Sequence, residues 1–174
     1  LILCKKAILV EGDSDELVVQ RAYMDTHNGR LPIQDCIDVM TVGGVMFKRY
    51  LEIAQVLKKE TAVVTDNDGD IEAVKKKYKK YEGLSYIHIC VDETVDTGNL
   101  KLSDKDFNYN TLEPKILKEN GRKLLNDIFG TTYQTDDEMH KYMHSHKTDC
   151  AIAIFESTTK IKYPEYIMRA IKNE

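Results

Sequence analysis

The chain has 174 residues, 42% of them hydrophobic, and a net charge of -4 from 25 basic and 29 acidic side chains. That is enough apolar material for one domain with a real core, so wholesale disorder is excluded. No apolar run approaches the ~20 residues of a bilayer span, and the charge balance argues against a free-standing, charge-driven nucleic-acid binder. It leaves open an enzyme that meets nucleic acid through bound metal ions. The start, Leu1 to Lys6, has no secretory h-region and no initiator Met, so the expectation is a cytoplasmic chain cut from a longer one. Cys4, Cys36, Cys90 and Cys150 are too scattered for a disulfide or zinc framework and read as reduced core thiols.

Ala7-Ile8-Leu9-Val10 is continuously apolar, as in a strand buried on both faces of a parallel sheet. Glu11-Gly12 ends it. Asp13 is expected to cap a helix running to about His27, with Glu16 completing a capping box. A second unit has the strand Ile37 to Val42, the turn Gly43-Gly44 and a helix from Phe47 to Lys59. A third has the strand Ala62 to Thr65, the turn Asp66 to Asp70 and a Lys-rich helix from Ile71 to Tyr81. Tyr86 to Val91 is a fourth strand. Residues 92–110 read as a long polar loop, and 111–147 as helical. Cys150 to Phe155 reads as a fifth strand, and Ile161 to Ile171 as a closing helix with Pro164 in its first turn. Alternating strands and helices predict right-handed crossovers and a parallel α/β sheet. The expected organisation is one domain over 1–174. Its core βα units occupy 1–91, a loop and helical insertion 92–149, and the closing strand and helix 150–174.

Parallel sheets bind ligands beyond the carboxyl ends of their strands, and the acids collect there. Glu11 ends the first strand and Asp15 lies in the first turn of the next helix. Asp66 and Asp68 follow the third strand. If the two strands are neighbours, four carboxylates converge, and they stay ionised together only around a cation. Hard oxygen donors point to Mg²⁺ or Mn²⁺. Plain alternatives exist: Asp13 as a helix cap, and Asp66, Asn67 and Asp70 as turn chemistry. An EF-hand starting at Asp66 fails, because Ile71 and Lys77 stand where Gly and Glu are required. No Gly-rich phosphate loop is present. His140 and His144 are one helical turn apart but lack a zinc-protease Glu, so an exposed polar helix is expected there. Lys75 to Tyr81 mixes Lys with Tyr. A solvated face is the plain reading, and a phosphate track with Tyr78 or Tyr81 against a sugar or base is the other.

The run Ile8-Leu9-Val10-Glu11-Gly12-Asp13-Ser14-Asp15, followed by Val63-Val64-Thr65-Asp66-Asn67-Asp68-Gly69, resembles a Toprim domain, the metal-binding α/β module of topoisomerases, primases and certain nucleases. Within that group it looks most like the C-terminal nuclease domain of the OLD (overcoming lysogenization defect) family, which includes the related Gabija anti-phage nucleases. Asp15 matches the family's acid four residues after the Glu. Thr111-Leu112-Glu113 resembles its hydroxyl-x-Glu segment, and Lys160 its late catalytic Lys, with Lys162 close by. The resemblance implies a Toprim, Rossmann-like fold and a two-metal DNA endonuclease with Mg²⁺ or Mn²⁺. One metal would sit on Glu11, Asp66 and Asp68, the other on Asp15 and Glu113 with Thr111 in support. Glu11, Asp66 and Lys160 would be catalytic, Lys160 by stabilising charge on phosphate. It also implies an N-terminal ATPase outside this chain, through which alone ATP would act. A homo-oligomer and a helicase-like defence partner belong to the same expectation, with no membrane. Two other readings stay open: a phospho-receiver-like domain with Asp66 as acceptor, and a regulatory Toprim module that does not cut.

Overall fold

In this computed structural model the described residues are 3–44, 46–103 and 105–172. Strands β1 (Lys6–Val10), β2 (Ile37–Thr41), β3 (Glu60–Val64) and β4 (Ile87–Cys90) form a parallel sheet in the order β2-β1-β3-β4. The register runs Lys6 to Ile37 and to Glu60 across the two sides of β1, and Thr61 to Ile87 between β3 and β4. All five residues of β1 are buried, as its unbroken apolar run requires of a central parallel strand. Lys6 is buried with them, and its ammonium donates to the Ala170 carbonyl at 2.5 Å.

The period of two divides β1 between two cores. Ile8 and Val10 pack with helices α1 (Asp13–Thr26), α4 (Leu112–Phe129), α5 (Asp136–Ser145), α6 (Lys147–Glu156) and α7 (Glu165–Lys172). Ala7 and Leu9 pack with α2 (Phe47–Leu57), α3 (Ile71–Tyr78) and the single turn Lys79–Tyr81. Tyr78 and Tyr81 are 4% and 2% exposed, so both belong to this core and neither is available to a base or sugar.

Four expectations are corrected. Cys150 to Phe155 is not a strand but most of α6. It buries Cys150, Ala151 and Ile154 and leaves Ile152 exposed, a helical spacing that a short apolar run does not reveal by itself. The sheet therefore ends at four strands. The segment 92–110 is not all loop, because β5 (Leu100–Leu102) and β6 (Lys105–Phe107) pair antiparallel within it. Gly12, not Asp13, is the N-cap of α1. Its N–H is held by Asp15 Oδ2 at 3.0 Å, whereas Glu16 accepts from the Thr41 hydroxyl at 2.8 Å. Finally, α5 is amphipathic rather than exposed: His140 is fully buried beside Met139 and Met143.

Two residues shape how the helices close over the sheet. Arg21 of α1 is buried, pairs with Asp25 at 2.9 Å, and donates to the Phe155 and Ser157 carbonyls at the end of α6. It thereby satisfies orphan groups of that helix end. Gly121 breaks α4 with φ 74° and ψ 153°, outside helical space and natural only for glycine. Cys36 is exposed and Cys4 half-buried; Cys90 and Cys150 are buried, and all four are free of disulfides. Only the last two behave as core thiols.

Candidate functional site

Because β1 and β3 are neighbours, Glu11 and Asp66 leave the sheet side by side. The Thr65 hydroxyl donates to Glu11 Oε1 at 3.0 Å and ties the two strand ends together. The Gly43-Gly44 turn after β2 closes over the same place. Gly43 has φ +67°, and a Cβ on Gly44 would stand 3.1 Å from Glu11 Oε1. A side chain at position 44 would thus crowd this carboxylate.

Asp66 sits between three elements. Its Oδ1 accepts from the Tyr166 hydroxyl of α7 at 3.1 Å, and its Oδ2 accepts from the Leu112 N–H that opens α4, at 3.2 Å. A carboxylate from the β3 turn therefore serves the N-terminus of α4, where the helix dipole favours negative charge. Thr111, the N-cap of that helix, makes no side-chain cap bond. Two residues further, Glu113 is 7% exposed and holds Lys147 of α6, Nζ to Oε1 3.0 Å.

The electrostatics register the crowding. Burial pushes the Asp66 carboxyl up to about 8, with Asp15, Glu113 and Asp68 adding to it and Tyr166 pulling the other way. Burial likewise lifts Asp15 to about 6, against the Gly12 N–H, with Glu113 and Glu11 adding and Lys147 opposing. Tyr166 is pushed well above the usual phenol range, first by burial and then by Asp66. Asp15 thus feels Glu113 and Glu11, and Asp66 feels Asp15, Glu113 and Asp68. Among the described residues, no three metal-ligating side chains surround one point.

The donor set nevertheless suits a hard divalent cation. It is all oxygen, it lies at the carboxyl edge of a parallel sheet, and burial together with neighbouring carboxylates raises two of its acids. Each Asp66 oxygen keeps a second lone pair beyond its one hydrogen bond.

Other residues fall differently. Asp68 is exposed at φ 49° in the turn beside Asp66. Asp70 caps α3, accepting from the Ala73 N–H at 3.0 Å, as turn chemistry predicts. Asn67 is 1% exposed. Its amide donates to the Asp92 and Thr94 carbonyls at 2.8 and 3.0 Å and anchors the β3 turn to the segment after β4. Asp92 pairs with Lys115 and Asp96 with Lys118. Burial pushes Asp92 up, but the Lys115 and Thr94 bonds prevail and hold it low; Lys118 above all does so for Asp96. Lys160 lies exposed between α6 and α7, with no hydrogen bond or ion pair to the carboxylates among the described residues. Lys162 meets Asn120 through its backbone. Among the described residues, the cation paired with these acids is Lys147, which sequence reasoning missed. Tyr166 was missed too; both come from helices whose packing local patterns do not announce.

A four-stranded parallel sheet with carboxylates gathered at the ends of β1 and β3 defines a Toprim-type α/β domain. The family described as overcoming lysogenization defect protein-like, TOPRIM domain, matches residues 2–68, which is less than half of the chain. Over those residues the chain is similar to OLD-like Toprim domains. Its fold is similar to the C-terminal region of the Burkholderia pseudomallei OLD protein. There the TM-score is 0.68 at 19% identity, over 97% of this chain and 96% of that one. The C-terminal region of the Xanthomonas campestris pv. campestris OLD protein gives 0.67 at 16% identity, over 99% and 95%. Identities this low speak to the fold. No curated protein sequence matches the chain.

Proposed function

We propose that this domain is a metal-dependent DNA endonuclease, hydrolysing phosphodiester bonds at the carboxyl edge of β1 and β3. The observation that carries the reading is the electrostatic influence of Glu11, Asp15, Asp66 and Glu113 on one another at the ends of β1 and β3, with burial first and neighbouring carboxylates next lifting Asp66 and Asp15 above the usual carboxylate range. Glu11, Asp66 and Asp68 would hold one Mg²⁺ or Mn²⁺, and Asp15 and Glu113, supported by Thr111, a second. Bound in this way, such ions supply an activated water and clamp the phosphate oxygens.

The chain's own residues set the frame. Thr65 and Gly44 position Glu11, Tyr166 and the α4 N-terminus position Asp66, and Lys147 restrains Glu113. A Lys near the phosphate stabilises charge as it develops. Lys160 is the expectation from the resemblance, and Lys147 is the candidate that the packing adds. The wider proposal follows the family likeness. Residues 1–174 act as the nuclease unit of a longer cytoplasmic, homo-oligomeric ATPase-nuclease, with ATP bound outside this chain. A helicase-like partner and a role in anti-phage defence complete it.

The test is nicking of supercoiled plasmid with Mg²⁺, with Mn²⁺ and with EDTA. Metal-dependent nicking is expected, and Glu11→Ala should abolish it. Nicking that survives in Glu11→Ala overturns the site. Lys160→Ala, Lys162→Ala and Lys147→Ala measured side by side assign the cation, since only the one at the phosphate should lose cutting while keeping metal binding.

A further inference from the structure

The sequence singles out Lys75 to Tyr81, and the structure changes its meaning. Tyr78 and Tyr81 turn into the core, so the segment presents lysine alone: Lys75, Lys76, Lys77, Lys79 and Lys80 are all exposed. It packs against the start of α2, where Lys48 and Arg49 are also exposed. The Tyr81 hydroxyl donates to the Lys48 carbonyl at 3.4 Å, and Lys80 Nζ lies 3.6 Å from Glu52 Oε1. Seven exposed cations thus cluster on α3, the turn that follows it and the first turn of α2, in a chain whose net charge is -4.

Countercharge on this face is thin. Glu52 serves Arg49 and Lys80, and Glu72 serves Lys75. Among the described residues, Lys48, Lys76 and Lys79 hold no ion pair. Lysines four apart along one helical stretch repel by about 0.2–0.5 kcal/mol a pair, so concentrating them here disfavours the free domain slightly.

The face also reaches the acids. Lys77 Nζ lies over the Phe47 ring, 5.6 Å from its centroid, and donates to the Gly44 carbonyl at 3.4 Å. Gly44 is the residue whose Cβ would press on Glu11. The basic face therefore runs from α2 and α3 to the rim of the carboxylate cluster.

We infer that the exposed cations of α2 and α3 grip the phosphate backbone of duplex DNA and lead it to Glu11. This rests on the nuclease reading and names the surface on which its substrate lies. It also resolves a tension in the composition. An acidic chain can hold DNA if enough of its cations are clustered, because phosphate contacts supply most of non-specific affinity.

The experiment is anisotropy of a fluorescein-labelled duplex in EDTA, titrated with the chain at stepwise increasing NaCl. The triple variant Lys75→Gln/Lys76→Gln/Lys79→Gln is compared with Lys123→Gln/Lys141→Gln/Lys172→Gln, which removes equal charge elsewhere. The first triple should weaken binding by on the order of tenfold and flatten the salt slope by about 0.9 for each phosphate no longer neutralised. The second should change both far less. Equal effects of the two triples, or an unchanged slope in the first, overturn the inference. If wild type nicks plasmid while the first triple keeps full affinity, the surface falls and the nuclease reading stands. If wild type neither binds duplex at low salt nor nicks plasmid, both fall together.

Discussion

Asp66 shows how one side chain can hold architecture and chemistry together. It joins the β3 turn to α4 and α7 through the Leu112 N–H and the Tyr166 hydroxyl, and its carboxyl is lifted to about 8. A carboxyl raised on folding retains a proton that the unfolded chain releases near pH ~4. Its contribution is therefore fully present below that pH and drains away as pH rises towards 8. In EDTA the melting temperature should fall over this window, and Mn²⁺ should raise it most at the alkaline end; scanning calorimetry with and without Mn²⁺ checks both signs. Tyr166→Phe removes a bond that lowers the Asp66 pKa, so the acidic limb of the nicking profile should move to higher pH. His140 runs the opposite way. It is fully buried, neither ring nitrogen has a partner among the described residues, and burial holds its pKa below the usual 6.5. Its contribution is lost as pH falls below that value. An unmade buried hydrogen bond costs about 1–3 kcal/mol. His140→Leu should accordingly raise the melting temperature and abolish this acid-side slope; a drop in stability would mean that a buried water satisfies the ring.

At the scale of elements, α6 is the most instructive. Its apolar run reads as a strand, yet it packs on α1 as a helix whose end is held by Arg21. The distinction is measurable. Ile154 is 3% exposed and Ile152 is 41% exposed, so Ile154→Ala should cost about 2–5 kcal/mol in chemical denaturation and Ile152→Ala very little. A strand buried on both faces would penalise the two alike. The turn after β2 makes a second case. Gly44→Ala puts a methyl 3.1 Å from Glu11 Oε1, the mobile end of a side chain. Glu11 can yield, so stability should change little while metal affinity and nicking drop; equal nicking by the variant would show that this approach is not functional.

Across the whole molecule, the two faces of the sheet divide the labour. The α1, α4 and α7 side contributes Asp15, Glu113 and Tyr166, and α6 adds Lys147. The α2 and α3 side contributes Gly44 beside Glu11 and the exposed cations. The edge of β1 and β3 is where they meet. Asn67 braces that edge by binding the segment after β4, so Asn67→Ala should destabilise the fold and weaken metal binding together, read by melting and by Mn²⁺ titration.

The parallel sheet was legible in the chain because strands buried on both faces leave unbroken apolar runs, and Glu11, Asp15, Asp66 and Asp68 could be placed at strand ends and a helix start, whereas Glu113 came only from the family resemblance. Those signals are local and periodic. The helical state of 147–156, the pairing of β5 with β6 and the burial of His140, Tyr78 and Tyr81 were decided by packing, which short apolar or mixed runs do not encode. Lys147 and Tyr166 reach the acids only through helix contacts far from them in sequence, so only the tertiary structure brings them to the site.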